Sequence, residues 1–88
     1  MNKLNTYLAN LAVLNVKFHN IHWNVVGKQF VQVHEFTESL YDVFFEQYDA
    51  VAEALKMRNV YPVARLKEYL ELTTVKEIES KDYSVSEV

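Results

Sequence analysis

Three histidines and three carboxylates are the residues of this sequence that could carry chemistry together. His19, His22 and His34 lie within sixteen positions, and Glu38 follows His34 by four residues. A lone histidine is more often structural than functional, but residues four apart on a helix share one face, so His34 and Glu38 point to the same side. Two imidazoles and a carboxylate form a half-site suited to iron or manganese, with zinc as an alternative.

A second pair of residues with the same four-residue spacing consists of two carboxylates, Asp49 and Glu53, and follows Glu38 in the sequence. At about 100° per residue, both fall on the helix face that carries His34 and Glu38. His34 and Asp49 are fifteen residues apart, about 22 Å along a straight helix, so they cannot share a metal within one chain. A second copy, antiparallel across a two-fold axis, would bring the two half-sites together. The alternative is that these carboxylates form only a solvated helix face.

Long helices are expected to position these residues, because the sequence holds one glycine and one proline and its apolar residues recur at three- and four-residue steps. Gly27 suits a helix C-terminus and Pro62 a helix start. In an antiparallel hairpin, His22 and His34 lie at similar heights and can face each other. The predicted elements are helix one at about residues 3–26, helix two at about 31–58, a short helix at about 62–72 and an irregular tail at about 73–88.

The composition describes one small domain, residues 1–88, with half of its residues apolar and no cysteine. A core of this size is marginal alone, so a second copy is expected. The net charge of −3 gives no electrostatic support for binding DNA. A secretory signal and an apolar run of bilayer length are both missing, and we expect a soluble, cytoplasmic protein.

The sequence resembles the Dps miniferritins, named for DNA-binding proteins from starved cells. The resemblance covers nearly all of the chain and rests on the run LNVKFHNIHWNVVGKQFVQVHEFTESLYD, continued by YDAVAEAL and PVARLKEYLEL. Its most specific parts are the motif HNIHW, the histidine twelve residues after His22, and the D-x-x-x-E pattern that begins fifteen residues beyond that histidine.

This resemblance implies an all-α, ferritin-like helical hairpin, the first half of a four-helix bundle, with a short connecting helix and completion by dimerisation. Relatives assemble into dodecameric cages with ferroxidase centres between two-fold-related subunits. Trp23 corresponds to a tryptophan beside the centre, a candidate electron donor or an aromatic packing plug. The implied metal ligands are His22, His34 and Glu38 of one subunit with Asp49 and Glu53 of its partner.

The sequence departs from the family pattern in three places. Position 38 is commonly aspartate in relatives and is Glu38 here. The third and fourth long helices of the family do not follow, although Ser84 and Glu87 form a capping box that announces a helix just before the last residue. This pattern indicates an interrupted chain or a frayed polar tail. The lysine-rich arm with which some relatives hold DNA is absent.

We therefore expect a Dps-like iron-binding protein that oxidises Fe(II) with hydrogen peroxide or, less readily, dioxygen. Its roles would be iron storage, detoxification and protection against oxidative stress. The alternative is a non-enzymatic helical-hairpin dimer, or a truncated remnant without iron turnover. A DNA-compacting protein would need a basic surface.

Overall fold

The computed structural model describes residues 2–27 and 30–87, apart from the side chains of Asn2 and Val85. The hairpin is antiparallel, because Tyr7 of its first helix contacts Gln47 whereas His22 contacts His34. The predicted fold class, an all-α helical hairpin with a short third helix, is confirmed. The elements are α1 (Asn2–Asn24), β1 (Val25–Val26), α2 (Phe30–Met57), α3 (Leu66–Leu72), β2 (Tyr83–Ser84) and a 3-10 turn (Val85–Glu87).

A residue with a left-handed backbone conformation follows each of the long helices. Gly27 has a φ of 116° and Asn59 a φ of 60°. At the end of α2 the Asn59 N–H donates to the Lys56 carbonyl at 3.0 Å, and the Val60 N–H donates to the Leu55 carbonyl at 3.0 Å. These two bonds form a Schellman motif, which satisfies carbonyls that the helix end would leave unpaired. α1 ends at Asn24, two residues earlier than predicted.

The prediction that the third helix begins at Pro62 was wrong, because α3 begins at Leu66. The Val63 N–H donates to the Asn5 side-chain oxygen at 3.0 Å, and Arg65 is extended with φ −115° and ψ 136°. A tertiary hydrogen bond to α1 therefore holds this segment outside the helix, despite the preference of proline for a first helical turn.

Asparagines of α1 hold the segment that follows α3. The Asn10 side-chain oxygen accepts from the Thr74 N–H at 2.8 Å, and the Asn20 amide donates to the Glu79 carbonyl at 3.0 Å. The chain then pairs β2 with β1 in parallel, in the register Val25 to Tyr83. The segment predicted as an irregular tail thus contains a strand and a 3-10 turn; Val88 lies outside the described residues.

The 3-10 turn begins with half of the predicted capping box. The Glu87 carboxylate accepts from the Ser84 hydroxyl at 3.0 Å and from the Ser84 N–H at 3.3 Å. These hydrogen bonds, with a smaller contribution from Lys81, hold the pKa of Glu87 below its ordinary value. A carboxylate in this place satisfies an N–H that the start of a helical turn leaves free.

The core lies where α3 crosses the hairpin. Its buried members are Leu8, Ala9, Leu55 and Tyr69, which come from all three helices. The Tyr69 hydroxyl is hydrogen-bonded to the Tyr48 hydroxyl, so this buried polar group has a partner. The core therefore fixes α3 against the C-terminal end of α2, and the histidines lie at the other end of the hairpin. No helix within the described ranges is long and apolar enough to cross a membrane.

Candidate metal centre

Two histidines face each other at the end of the hairpin nearest Gly27. His22 belongs to the last turn of α1 and His34 to the second turn of α2, and their ring centroids are 3.5 Å apart with an angle of 19° between the planes. His22 is only 6% exposed, and His34 is half-buried. The antiparallel geometry that puts the two residues at equal height thus brings their rings into a parallel stack.

The two histidines are fixed by reciprocal hydrogen bonds. The Nδ1 atom of His22 lies 2.6 Å from the His34 carbonyl oxygen, and Nδ1 of His34 lies 2.8 Å from the His22 carbonyl oxygen. A carbonyl oxygen only accepts, so each neutral ring carries its proton on Nδ1 and keeps the Nε2 lone pair free. This is the tautomer and the bonding pattern of histidines that bind metals through Nε2.

Thr37 supports this pair, although it was not among the site residues predicted from the sequence. Its side chain is fully buried, and its hydroxyl lies 3.0 Å from the His34 carbonyl oxygen and 3.3 Å from Nδ1 of His22. The signal that could have found it is a threonine three residues after His34, on the side of α2 that faces α1. Thr37 thus places a buried hydroxyl beside Nδ1 of His22 and the carbonyl that this atom binds.

An aromatic layer lies next to His22, and Tyr41 is its centre. The Tyr41 ring is 5.3 Å from the His22 ring at 86°, and it stacks on His19 at 3.7 Å and 21°. His19 in turn lies 5.5 Å from Trp23, which is 68% exposed. Tyr41 was also missed, although its position seven residues after His34 places it on the same helix face.

Glu38 is exposed beside this layer. Its Oε1 atom lies 3.5 Å from the Tyr41 hydroxyl, which is a long hydrogen bond. Burial, together with the negative charges of Glu38 and Asp42, raises the pKa of Tyr41. The phenol is therefore a neutral hydrogen-bond donor near neutral pH, and the carboxylate is its acceptor.

The carboxylate pair Asp49 and Glu53 lies far along α2 from the histidines. Asp49 and Glu53 are exposed, and a hydrogen bond from Glu53 to Asp49, with repulsion between their charges, raises the pKa of Glu53. α2 is continuous from Phe30 to Met57, so the rise of about 1.5 Å per residue separates Asp49 from His34 by about 22 Å. Among the described residues, no group of three or more His, Asp or Glu side chains is close enough to hold a metal.

An apolar groove of about 270 Å³ lies on a different side of α1 from the histidines. Residues of α1, α3 and the segment at 77–78 line it, with Lys17, Asn20 and Glu77 among them. It contains none of the histidines or carboxylates of the predicted metal site. The groove and the histidine pair are therefore separate features of the hairpin.

A comparison with protein families matches residues 1–88 to the ferritin-like domain. The chain belongs to the ferritin-like family. Among curated proteins, this ferritin-like chain is 46% identical over 74 residues to the DNA protection during starvation protein of Listeria innocua, an alignment that covers 84% of this chain and 47% of the relative. The chain spans about half the length of the curated relatives it matches.

Solved structures of relatives carry the same hairpin. Antigen TpF1 from Treponema pallidum has a TM-score of 0.92 at 36% identity, covering 94% of this chain and 53% of that one. Dps from Listeria innocua soaked with cobalt has a TM-score of 0.92 at 40% identity, covering 98% and 56%. The predicted resemblance to Dps is thus confirmed for this ferritin-like chain.

Proposed function

We propose that two copies of this chain form a site that binds and oxidises Fe(II). His22, His34 and Glu38 of one copy would supply one half of each site, and Asp49 and Glu53 of the second copy the other half. The observation that carries the proposal is the reciprocal histidine pair, because both Nδ1 atoms donate to carbonyl oxygens and both Nε2 atoms remain free for a metal.

The donor set suits iron as the substrate. Imidazole nitrogen accommodates Fe(II), and carboxylate oxygens, which are harder ligands, stabilise Fe(III). Two Fe(II) ions each lose one electron, and hydrogen peroxide accepts both electrons and is reduced to two hydroxide ions. Dioxygen is a slower oxidant in this proposal. Zinc and manganese would compete for the same donors, because they also bind imidazole and carboxylate.

The proposal requires an antiparallel dimer because the two half-sites of one chain are too far apart along α2. No single copy can bring Asp49 within bonding range of His34 along a continuous helix, whereas a two-fold axis near the middle of α2 aligns one half-site of each copy with the opposite half of the other. Two equivalent sites result. In carboxylate-rich helical bundles, the metal likewise lies among side chains of facing helices.

The names of relatives extend the proposal to a role in stress. Relatives carry the names DNA protection during starvation protein and General stress protein 20U. Removing Fe(II) together with peroxide limits oxidative damage, so iron storage, detoxification and assembly into a dodecameric cage belong to the proposed function of the full-length protein. A cytoplasmic location fits it, because a reducing compartment keeps iron as Fe(II).

A non-enzymatic helical-hairpin dimer is the second candidate. It is favoured by the large apolar side chains that α2 leaves exposed, among them Phe36, Val43 and Phe45. Such surfaces commonly mark contacts with another chain. In that case Asp49 and Glu53 would set the register of pairing without turning over iron. DNA binding has no support in the charge of the chain, which is −3.

Fe(II) oxidation by the purified chain, followed with and without hydrogen peroxide, tests the proposal. We expect oxidation well above the rate in buffer, and we expect His22→Ala and Glu53→Ala each to remove it. Glu71→Ala is the matched control, because Glu71 is an exposed carboxylate of α3. A dimer that oxidises Fe(II) no faster than buffer would support the non-enzymatic candidate instead.

A further inference from the structure

Tyr41 contacts a proposed histidine ligand and a proposed carboxylate ligand, and its own ring packs against another histidine. Its ring is nearly perpendicular to the His22 ring, with 5.3 Å between the ring centroids, and its hydroxyl lies 3.5 Å from Oε1 of Glu38. It also stacks on the His19 ring, with 3.7 Å between the ring centroids. Nδ1 of His19 lies 2.7 Å from the Asn15 carbonyl oxygen, and this hydrogen bond holds the stack to the backbone of α1.

We propose that Tyr41 is the positioning residue of the metal site, which orients the His22 ring through its own ring and the Glu38 carboxylate through its hydroxyl. This inference rests on the proposed function, and it adds a residue that touches neither iron nor oxidant. Groups that hold the ligands of a metal commonly change its affinity or the activity of the site by about 10–100-fold.

The ring of Tyr41 completes the enclosure of His22. One face of the imidazole is covered by His34 at 3.5 Å, Nδ1 is bound to the His34 carbonyl, and the Tyr41 ring lies on another side. An imidazole enclosed in this way cannot rotate its Nε2 atom away from the metal position without displacing a neighbour.

The hydroxyl of Tyr41 contacts the Glu38 carboxylate, which is a proposed metal ligand. Glu38 is exposed, and its side chain has several rotatable bonds, so ordering the carboxylate costs conformational entropy. Tyr41 has a rigid ring wedged against His19, and it lies three residues after Glu38 on the same helix. Its hydroxyl therefore offers a fixed donor that favours one carboxylate orientation before metal binds.

Tyr7→Phe provides a matched control for Tyr41→Phe. The Tyr7 hydroxyl donates to the Gln47 side chain of α2 at 2.9 Å, so this variant also removes a phenol hydroxyl that links to α2, but away from the histidines. Cobalt(II) is the probe, because its visible absorption reports coordination geometry without any oxidation. Affinity and spectrum are measured by titration of the whole chain, with circular dichroism as a check of folding.

We expect Tyr41→Phe to weaken cobalt(II) binding about tenfold and to shift its visible spectrum, whereas Tyr7→Phe leaves both unchanged. Tyr41→Leu, which also removes the ring, should weaken binding further; if it fails to fold, Tyr41→Phe decides. Native affinity and spectrum in Tyr41→Phe, together with lost binding in His22→Ala, would overturn the positioning role and leave the proposed function standing. Native binding in His22→Ala would overturn both.

Discussion

Sites shared between two copies should be restored by mixing two inactive variants. We choose His34→Ala and Glu53→Ala, because each removes a proposed ligand from a different half-site. The two residues are nineteen positions apart on the continuous helix α2, which corresponds to about 28 Å at 1.5 Å per residue. No motion of side chains spans that distance, so the two residues cannot belong to one site in one chain.

The recovered activity follows from two-fold symmetry. In a mixed dimer, one site combines both lesions and the other combines two intact halves. Random exchange of equal amounts gives about half of the dimers as mixed dimers, and half of their sites are intact, so about a quarter of all sites should oxidise Fe(II). Subunits are exchanged by unfolding and refolding the mixture together, and the initial rate of Fe(II) oxidation is compared with that of the unsubstituted chain treated in the same way.

A second mixture provides the control. His22→Ala and His34→Ala remove two ligands of the same half-site, so every site of their mixed dimer carries one lesion and no activity should return. If the mixture of His34→Ala and Glu53→Ala stays as inactive as either variant, although native mass spectrometry detects the mixed dimer, then the ligands are not shared between copies. Equal recovery in both mixtures would contradict the assignment of half-sites.

Three further predictions concern stability. Leu55→Ala should lower the free energy of unfolding by about 2–5 kcal/mol in urea titrations, because Leu55 is fully buried, whereas exposed Leu66→Ala should change it little. Tyr48→Phe should cost about 1–3 kcal/mol in the same assay, since the buried Tyr69 hydroxyl loses its partner. The pKa of Glu87 is lowered on folding, so its stabilising effect is complete above the ordinary value of 4.5 and is lost as pH falls through the lowered pKa. Acid should therefore lower the thermal unfolding temperature less in Glu87→Gln than in the unsubstituted chain. A Glu87 pKa at or above 4.5, measured by NMR titration of the carboxyl group, would contradict this.

The hairpin could be predicted from the sequence because its causes are local. Apolar residues at helical spacing mark both long helices, and Gly27 supplies a positive φ in the turn between them. Helical rise then places His22 and His34 at the same height without any knowledge of packing. These features depend on neighbours within a few positions in the chain, which a sequence displays directly.

Contacts between distant segments explain what could not be predicted. α3 begins at Leu66 because Val63 donates to Asn5, which is fifty-eight residues away in the chain. Proline preference favours an earlier start, and nothing local reveals the asparagine that competes with it. The pairing of β1 with β2 has the same origin, since Val25 pairs with Tyr83, which is fifty-eight residues away in the chain.

The supporting residues of the candidate site were missed for a related reason. Tyr41 and Thr37 are common residue types for a helix interface, and only the orientation of their side chains shows that they touch His22. Ligands are conspicuous in a sequence because few residue types bind metals, whereas a supporting residue is defined by its contact. The sequence therefore displays the ligands of such a site better than the residues that hold them.

The continuity of α2 connects the two halves of the proposal. One helix carries His34 and Glu38 near its start and Asp49 and Glu53 near its end, so their relative height and angle are set by helical geometry alone. An added residue between the halves would turn one carboxylate pair by about 100° away from the shared face. The same helix also fixes the distance between the two sites of a dimer. Register along α2, rather than any contact within one chain, is therefore what determines whether two copies can complete a metal site.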